Sequence, residues 1–161
     1  MSGNAPRIIP ARLEDARIAI ISASWHREIC DDLVAGAKRA LNEAGVKQVE
    51  IIHVAGSFEL PLAAQFALKS GADAAIVLGV VIRGETPHFD YVCQGVTDGV
   101  MRVSLDLDKP IGFGVLTVEN IEQAVARSGV AGSKEDKGYD SAIAALDLLR
   151  VKRELFDRFA K

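Results

Sequence analysis

Cysteine, histidine and aromatic residues are scarce in this sequence, and each shortage closes off a class of function. Two cysteines, Cys30 and Cys93, stand in 161 residues, too few for a disulfide framework. Each falls on the apolar side of an expected helix, so both read as buried thiols rather than a bridge or a metal pair. The three histidines occur without CxxC or HExxH spacing, and no metal site is expected. Positive charge is also short. Lys and Arg total 19 against 22 Asp and Glu, the net charge is −3, and aromatics are 6%, which argues against nucleic acid as a partner. No apolar run approaches the roughly 20 residues of a membrane span, and the N-terminus lacks a signal pattern. A cytoplasmic protein is expected. With 49% hydrophobic residues the chain can bury the core of one domain.

What the sequence does hold is a strand–turn–helix stretch from Ala74 to Val103. Ala74–Ile82 is a continuous apolar run rich in Val and Ile, the pattern of a parallel strand covered on both faces. Arg83-Gly84-Glu85 forms a tight turn. Thr86 is placed to cap a helix and Pro87 to take its first position, where a missing N–H costs nothing. Phe89, Val92, Cys93, Val96, Val100 and Val103 then recur at three- and four-residue spacing as one apolar stripe. A helix N-terminus offers unpaired N–H groups and partial positive charge, a natural anion site. His88 lies in that first turn and is a candidate proton-transfer group. Alone, the joint also reads as a structural turn with a surface histidine.

The remaining chain repeats this grammar. Residues Met1 to Glu14 are polar and Pro-punctuated, which predicts a mobile segment, with Arg7–Pro10 a candidate short edge strand for a neighbouring subunit's sheet. Residues 15–161 form the domain. Strands are predicted at Arg17–Ala23, Val49–Val54 and Ile111–Thr117. Helices are predicted at Glu28–Ala44, Leu60–Ser70, Glu119–Arg127 and Lys137–Phe159, with Ser128–Asp136 as a loop. The apolar sector of the last helix is wide for a helix covering one sheet and predicts a subunit contact. Alternation of strand and helix gives an α/β fold: a single-domain, flavodoxin-like three-layer αβα with a four-stranded parallel sheet.

In such a sheet the β-to-α turns converge at one end. That end gathers Ser24-Trp25-His26, Gly56-Ser57-Phe58-Glu59, residues 82–88 and the region after Thr117. Trp25 alone reads as a core or interface residue, although an exposed Trp at a strand end suits stacking on a flat heteroaromatic ring. Glu59 alone reads as an acid complementing a helix dipole. His26 reads as a polar rim residue. A ring platform, a carboxylate and an anion cradle together favour a binding site.

Four ordered stretches carry a family resemblance: GSFELP at 56–61, VIRGETPHFDYV at 81–92, GFGVLTVENIEQA at 112–124 and EDKG at 135–138. From Arg17 onward the chain resembles the 6,7-dimethyl-8-ribityllumazine synthase family of riboflavin biosynthesis. The resemblance implies condensation of 5-amino-6-(D-ribitylamino)uracil with 3,4-dihydroxy-2-butanone 4-phosphate, giving the lumazine, phosphate and water without metal or cofactor. It implies pentamers with sites between neighbours, and leaves room for an association with riboflavin synthase. By motif, Trp25 is the ring-stacking aromatic, where the family commonly has phenylalanine. Ser57, Phe58 and Glu59 hold the ring edge and ribityl chain, and Val80, Val81 and Ile82 offer backbone contacts. Glu85 and Thr86 form the phosphate turn, with the Glu85 carboxylate directed away. His88 is the proton shuttle. Phe113, Arg127 and Lys137 come from the neighbouring subunit, with Arg127 facing the phosphate.

Shell-forming members of the family carry a compact turn before the last helix. Here GVAGSKEDKG, residues 129–138, is longer and more acidic, which favours a free pentamer or paired pentamers over a capsid. Rival readings are a non-catalytic lumazine or flavin binder, or a shell-forming relative. A flavin electron carrier rests on fold alone.

Overall fold

The computed structural model describes residues 12–160. The elements run β1 (Arg17–Ala23), α1 (Arg27–Glu43), β2 (Gln48–Val54), α2 (Leu60–Lys69), β3 (Ala74–Ile82), α3 (His88–Leu107), β4 (Ile111–Val118), α4 (Ile121–Val125) and α5 (Lys137–Phe159). All strand pairs are parallel and the sheet order is β2-β1-β3-β4. This is the expected α/β class. The expected edge strand Arg7–Pro10 lies outside the described residues. Packing reaches back to Leu13, which is buried and donates its amide to the Ala44 carbonyl at 3.0 Å.

Period-two alternation splits each central strand between two cores. Ile18, Ile20, Ile76 and Leu78 face α1 and α5, where Leu33 and Leu146 meet them. Ala19, Ile21, Ala75 and Val77 face α2 and α3, packed with Leu68 and Val96. Both faces are therefore apolar, and the strands read as unbroken hydrophobic runs. Each Ile, Leu or Val so buried contributes roughly 1.5–3 kcal/mol.

Several termini shift by one to four residues from the sequence reading, and three differences have a clear cause or consequence. Thr86 does not cap α3. Pro87 takes the cap position and its carbonyl accepts from the amides of Asp90 and Tyr91. The residue before a proline is kept out of the helical region, which moves the helix start past Thr86. Second, α4 is shorter than expected because Asn120 caps it, accepting from the Gln123 amide at 3.0 Å. Third, the Ser57–Glu59 loop is a 3₁₀ turn running directly into α2.

The sheet order has a functional consequence. The chain leaves β1 toward β2 on one side and returns to β3 on the other. That reversal opens a crevice beyond the carboxyl ends of β1 and β3, where ligands bind in open α/β sheets.

Helices α1 and α5 approach closely at Gly138, where an added Cβ would collide with the Leu33 carbonyl and backbone. Gly138→Ala is expected to destabilise the protein by about 1–3 kcal/mol, the usual cost of overpacking. A lowered denaturant midpoint at fixed protein concentration checks this.

Candidate active site

Three turns build the crevice. After β1, His26 adopts a left-handed conformation (φ 53°, ψ 51°), which turns the chain sharply into α1. Histidine visits this region more readily than most residues. Trp25, just before it, stands 69% exposed at the crevice edge, and its carbonyl accepts from the Cys30 thiol at 3.3 Å. After β2, the Glu59 carboxylate accepts the Gly56 amide at 2.8 Å and closes the Gly56–Glu59 turn. Trp25, Ser57, Phe58, Glu59, Val80, Val81, Ile82 and His88 line one cavity of about 570 Å³. Sequence reasoning assigned all eight to a site. His26, Gly56, Tyr91 and Val92 complete the lining. Tyr91 was missed as a site residue, although its place three residues after His88 puts it one helical turn along.

Ser57 carries the clearest ligand signal in this cavity. Its Oγ is buried and has no hydrogen-bond partner among the described residues. It lies so near the β3 backbone that a Cβ at Gly79 would stand 2.6 Å from it. A buried hydroxyl without a partner is costly, and this one belongs to a residue that lines the cavity, which makes it a candidate to bond a polar group that enters.

The turn that carries His88 is held by Arg83. Its Nε donates to both carboxylate oxygens of Glu119 at 2.9 and 3.2 Å, and its Nη1 to Asp90 at 3.2 and 3.4 Å. The guanidinium also lies 4.1 Å from the centre of the Phe89 ring. Its backbone amide reaches the Val118 carbonyl at 3.0 Å, so the ends of β3 and β4 are tied twice. Glu85 and Thr86 are exposed on the turn and do not line the 570 Å³ cavity. The Asp90 and Tyr91 amides fold back on Pro87, which leaves the earlier amides of the turn as the outward donors.

Phe113, Arg127 and Lys137 are not brought to this cavity. With Thr117 and Gln123 they line a second one of about 330 Å³ beside β4. Arg127 Nη1 donates to the Gln123 carbonyl at 2.9 Å. The Lys137 ammonium pairs with Glu135 at 2.5 Å and Asp140 at 3.1 Å. Its pKa is raised above the usual lysine value, chiefly by the Glu135 hydrogen bond and then by Asp140, against a smaller cost of burial. The expected residues thus line two cavities on one subunit, with Glu85 and Thr86 in neither.

Neither thiol is poised as a nucleophile. Burial, with Asp31 nearby, pushes Cys30 up to about 11. Burial and the Asp90 charge raise Cys93 as well. Among the described residues no cluster of three or more His, Cys, Asp or Glu side chains is placed to hold a metal. No helix among them is long and apolar enough to cross a membrane.

A parallel α/β domain with a ring-sized crevice, an unpartnered buried hydroxyl and an imidazole at a helix N-terminus defines a small-molecule α/β enzyme. The family model described as 6,7-dimethyl-8-ribityllumazine synthase matches residues 15–153. A protein of that name from Nocardioides sp. is 49% identical over 96% of this chain and 97% of its own. Another from Streptomyces avermitilis is 51% identical over 91% of each chain. A third, from Kineococcus radiotolerans, is 50% identical over 95% of each. The chain belongs to the 6,7-dimethyl-8-ribityllumazine synthase family.

Two measurements test this local structure. Arg83→Ala is expected to speed amide exchange several-fold in residues 84–90 while the β3 core stays protected, as read by hydrogen–deuterium exchange. A raised pKa keeps a thiol protonated, so alkylation of Cys30 at pH 8 should be slow in the native protein and rapid once it is unfolded.

Proposed function

We propose that the chain condenses 5-amino-6-(D-ribitylamino)uracil with 3,4-dihydroxy-2-butanone 4-phosphate to form 6,7-dimethyl-8-ribityllumazine. Each carbonyl carbon that becomes bonded to nitrogen gives up its oxygen as water, and the phosphate leaves as inorganic phosphate. The uracil stacks on Trp25, with Ser57 Oγ, Glu59 and the Val80–Ile82 backbone at its polar edge. The substrate's amine is the nucleophile, so no enzyme nucleophile is needed, in keeping with two protonated thiols. His88 gives a proton to the departing hydroxyl and takes one from carbon during phosphate elimination. Such a shuttle contributes roughly 100- to 10,000-fold. Holding two reactants together supplies much of the rest.

One observation carries this reading: the ring platform and the phosphate groups line separate cavities of the same subunit. Each group is half a site. The halves become one site when Phe113, Arg127 and Lys137 are presented by a second copy, with Arg127 offering a charged fork to the phosphate. Glu85 and Thr86 complete the phosphate clamp with their amides. A closed pentamer, free or paired, satisfies this arrangement. Exposed Phe66 on α2, Met101 on α3 and Phe156 on α5 provide apolar surface for such contacts. A cytoplasmic setting, with both thiols reduced, and docking to riboflavin synthase belong to the same proposal.

Mixing the two substrates with the protein is expected to produce lumazine absorbance. His88→Ala should slow turnover by about 100-fold or more while affinity for a ribityl-pyrimidine inhibitor stays near wild type. An equal loss of affinity would count against proton transfer. Subunit mixing tests the shared site directly. Co-assembly of equal amounts of His88→Ala and Arg127→Ala subunits should restore about a quarter of wild-type activity, because random neighbours in a ring rebuild one intact site in four. No recovery would mean that both residues serve within one chain.

A further inference from the structure

The loop entering α5 sets a carboxylate against Lys137, which lines the same cavity as Arg127. Glu135 Oε2 lies 2.5 Å from Lys137 Nζ, and both side chains are half-buried, at 26% and 31% exposure. Asp140 reaches the same ammonium at 3.1 Å from a more open position, 44% exposed. The loop is also pinned by its backbone. The Lys134 and Glu135 amides donate to the Ala126 carbonyl at 2.9 and 3.1 Å, and the Lys137 amide to the Arg127 carbonyl at 3.0 Å. The loop backbone that carries Glu135 is therefore held against residues 126–127, and its carboxylate is held by Lys137. Lys137 and Arg127 both hold its carboxyl below the usual range, Lys137 chiefly through the hydrogen bond. One ammonium thus faces two carboxylates beside Arg127, where a dianion is to bind.

We propose that Glu135 is a carboxylate latch on the phosphate clamp: it occupies Lys137 in the unliganded subunit and competes with phosphate for that ammonium. The inference rests on the reading of Arg127 as a phosphate contact and extends it to Lys137, which lines the same cavity. A substrate phosphate carries more charge and more acceptor oxygens than a carboxylate, so it displaces Glu135 from Lys137. When inorganic phosphate forms, the tethered carboxylate returns to the ammonium and helps it leave. Glu135 thereby lowers affinity for the phosphorylated ketone and limits inhibition by product phosphate. Had Glu135 served only to hold Lys137 in place, removing its charge would weaken phosphate binding. The two roles differ in sign.

Glu135→Gln and Glu135→Ala in the full, assembled protein test this. Both are expected to lower the KM for the phosphorylated ketone and the inhibition constant of inorganic phosphate about threefold or more. That is the scale of one unit charge acting across roughly 5 Å in a water-like dielectric. A direct titration with inorganic phosphate, followed by phosphorus NMR, should show the same tightening, and added salt should shrink it. The KM for the ribitylaminouracil should not move. Unchanged or weaker phosphate binding in both variants overturns the latch, as does an equal gain from Asp140→Asn. If the wild-type protein forms no lumazine, the functional reading fails instead, and the phosphate titration alone still decides the latch.

Discussion

The parallel alignment of four strands, with β1 and β3 at the centre, is the constraint on which the rest depends. Parallel strands need crossover helices, and those helices bury both faces of the sheet. Every strand then points its carboxyl end the same way. Turns distant in sequence, after Ala23, Val54 and Ile82, meet at one rim. The reversal of strand order between β1 and β3 keeps helices from filling the space above them. The crevice is thus a product of topology before any side chain is considered.

Side chains then specialise that rim through local devices. His26 accepts a left-handed backbone so that Trp25 stands outward. Gly79 lacks a side chain so that Ser57 can press against β3. Arg83 binds two carboxylates and a ring at once, which fixes the turn beneath His88 to the end of β4. Arginine suits this task because its planar fork serves several partners in fixed directions. These contacts are solvent-accessible in the single subunit, and their worth grows where a neighbour excludes water.

The opposite flank at β4 has a different electrostatic character. It pairs Lys137 with two carboxylates and ties Arg127 to its own helix. In the proposed latch it is this cluster that yields to a stronger anion. Separation of the aromatic-lined crevice from this charged flank leaves the subunit with two unlike cavities, which the proposed function joins across a head-to-tail contact.

Much of the fold was legible because the sheet is buried on both faces. Ala74–Ile82 reads as an unbroken apolar run, and its strand boundaries were met at both ends. The last helix, Lys137–Phe159, was equally clear because its apolar sector never breaks. Errors fell where one residue decides a terminus. The proline at 87 displaced the cap from Thr86, and Asn120 delayed α4, because local steric and hydrogen-bond rules overrode the longer pattern.

For the crevice, motif and turn position named the ring platform, Ser57 to Glu59 and His88. They did not find Tyr91, whose aromatic body is ordinary in an amphipathic helix, nor the unpaired state of the Ser57 hydroxyl. The sequence by itself determined the element order, the two-faced core and the residue types gathered at the rim, since periodicity and turn chemistry are local properties. Only the tertiary structure decided that Arg127 and Lys137 share a cavity of their own beside β4, and that Glu135 already holds the lysine. Distances between turns far apart in the chain depend on how the sheet stacks them, which no local pattern encodes.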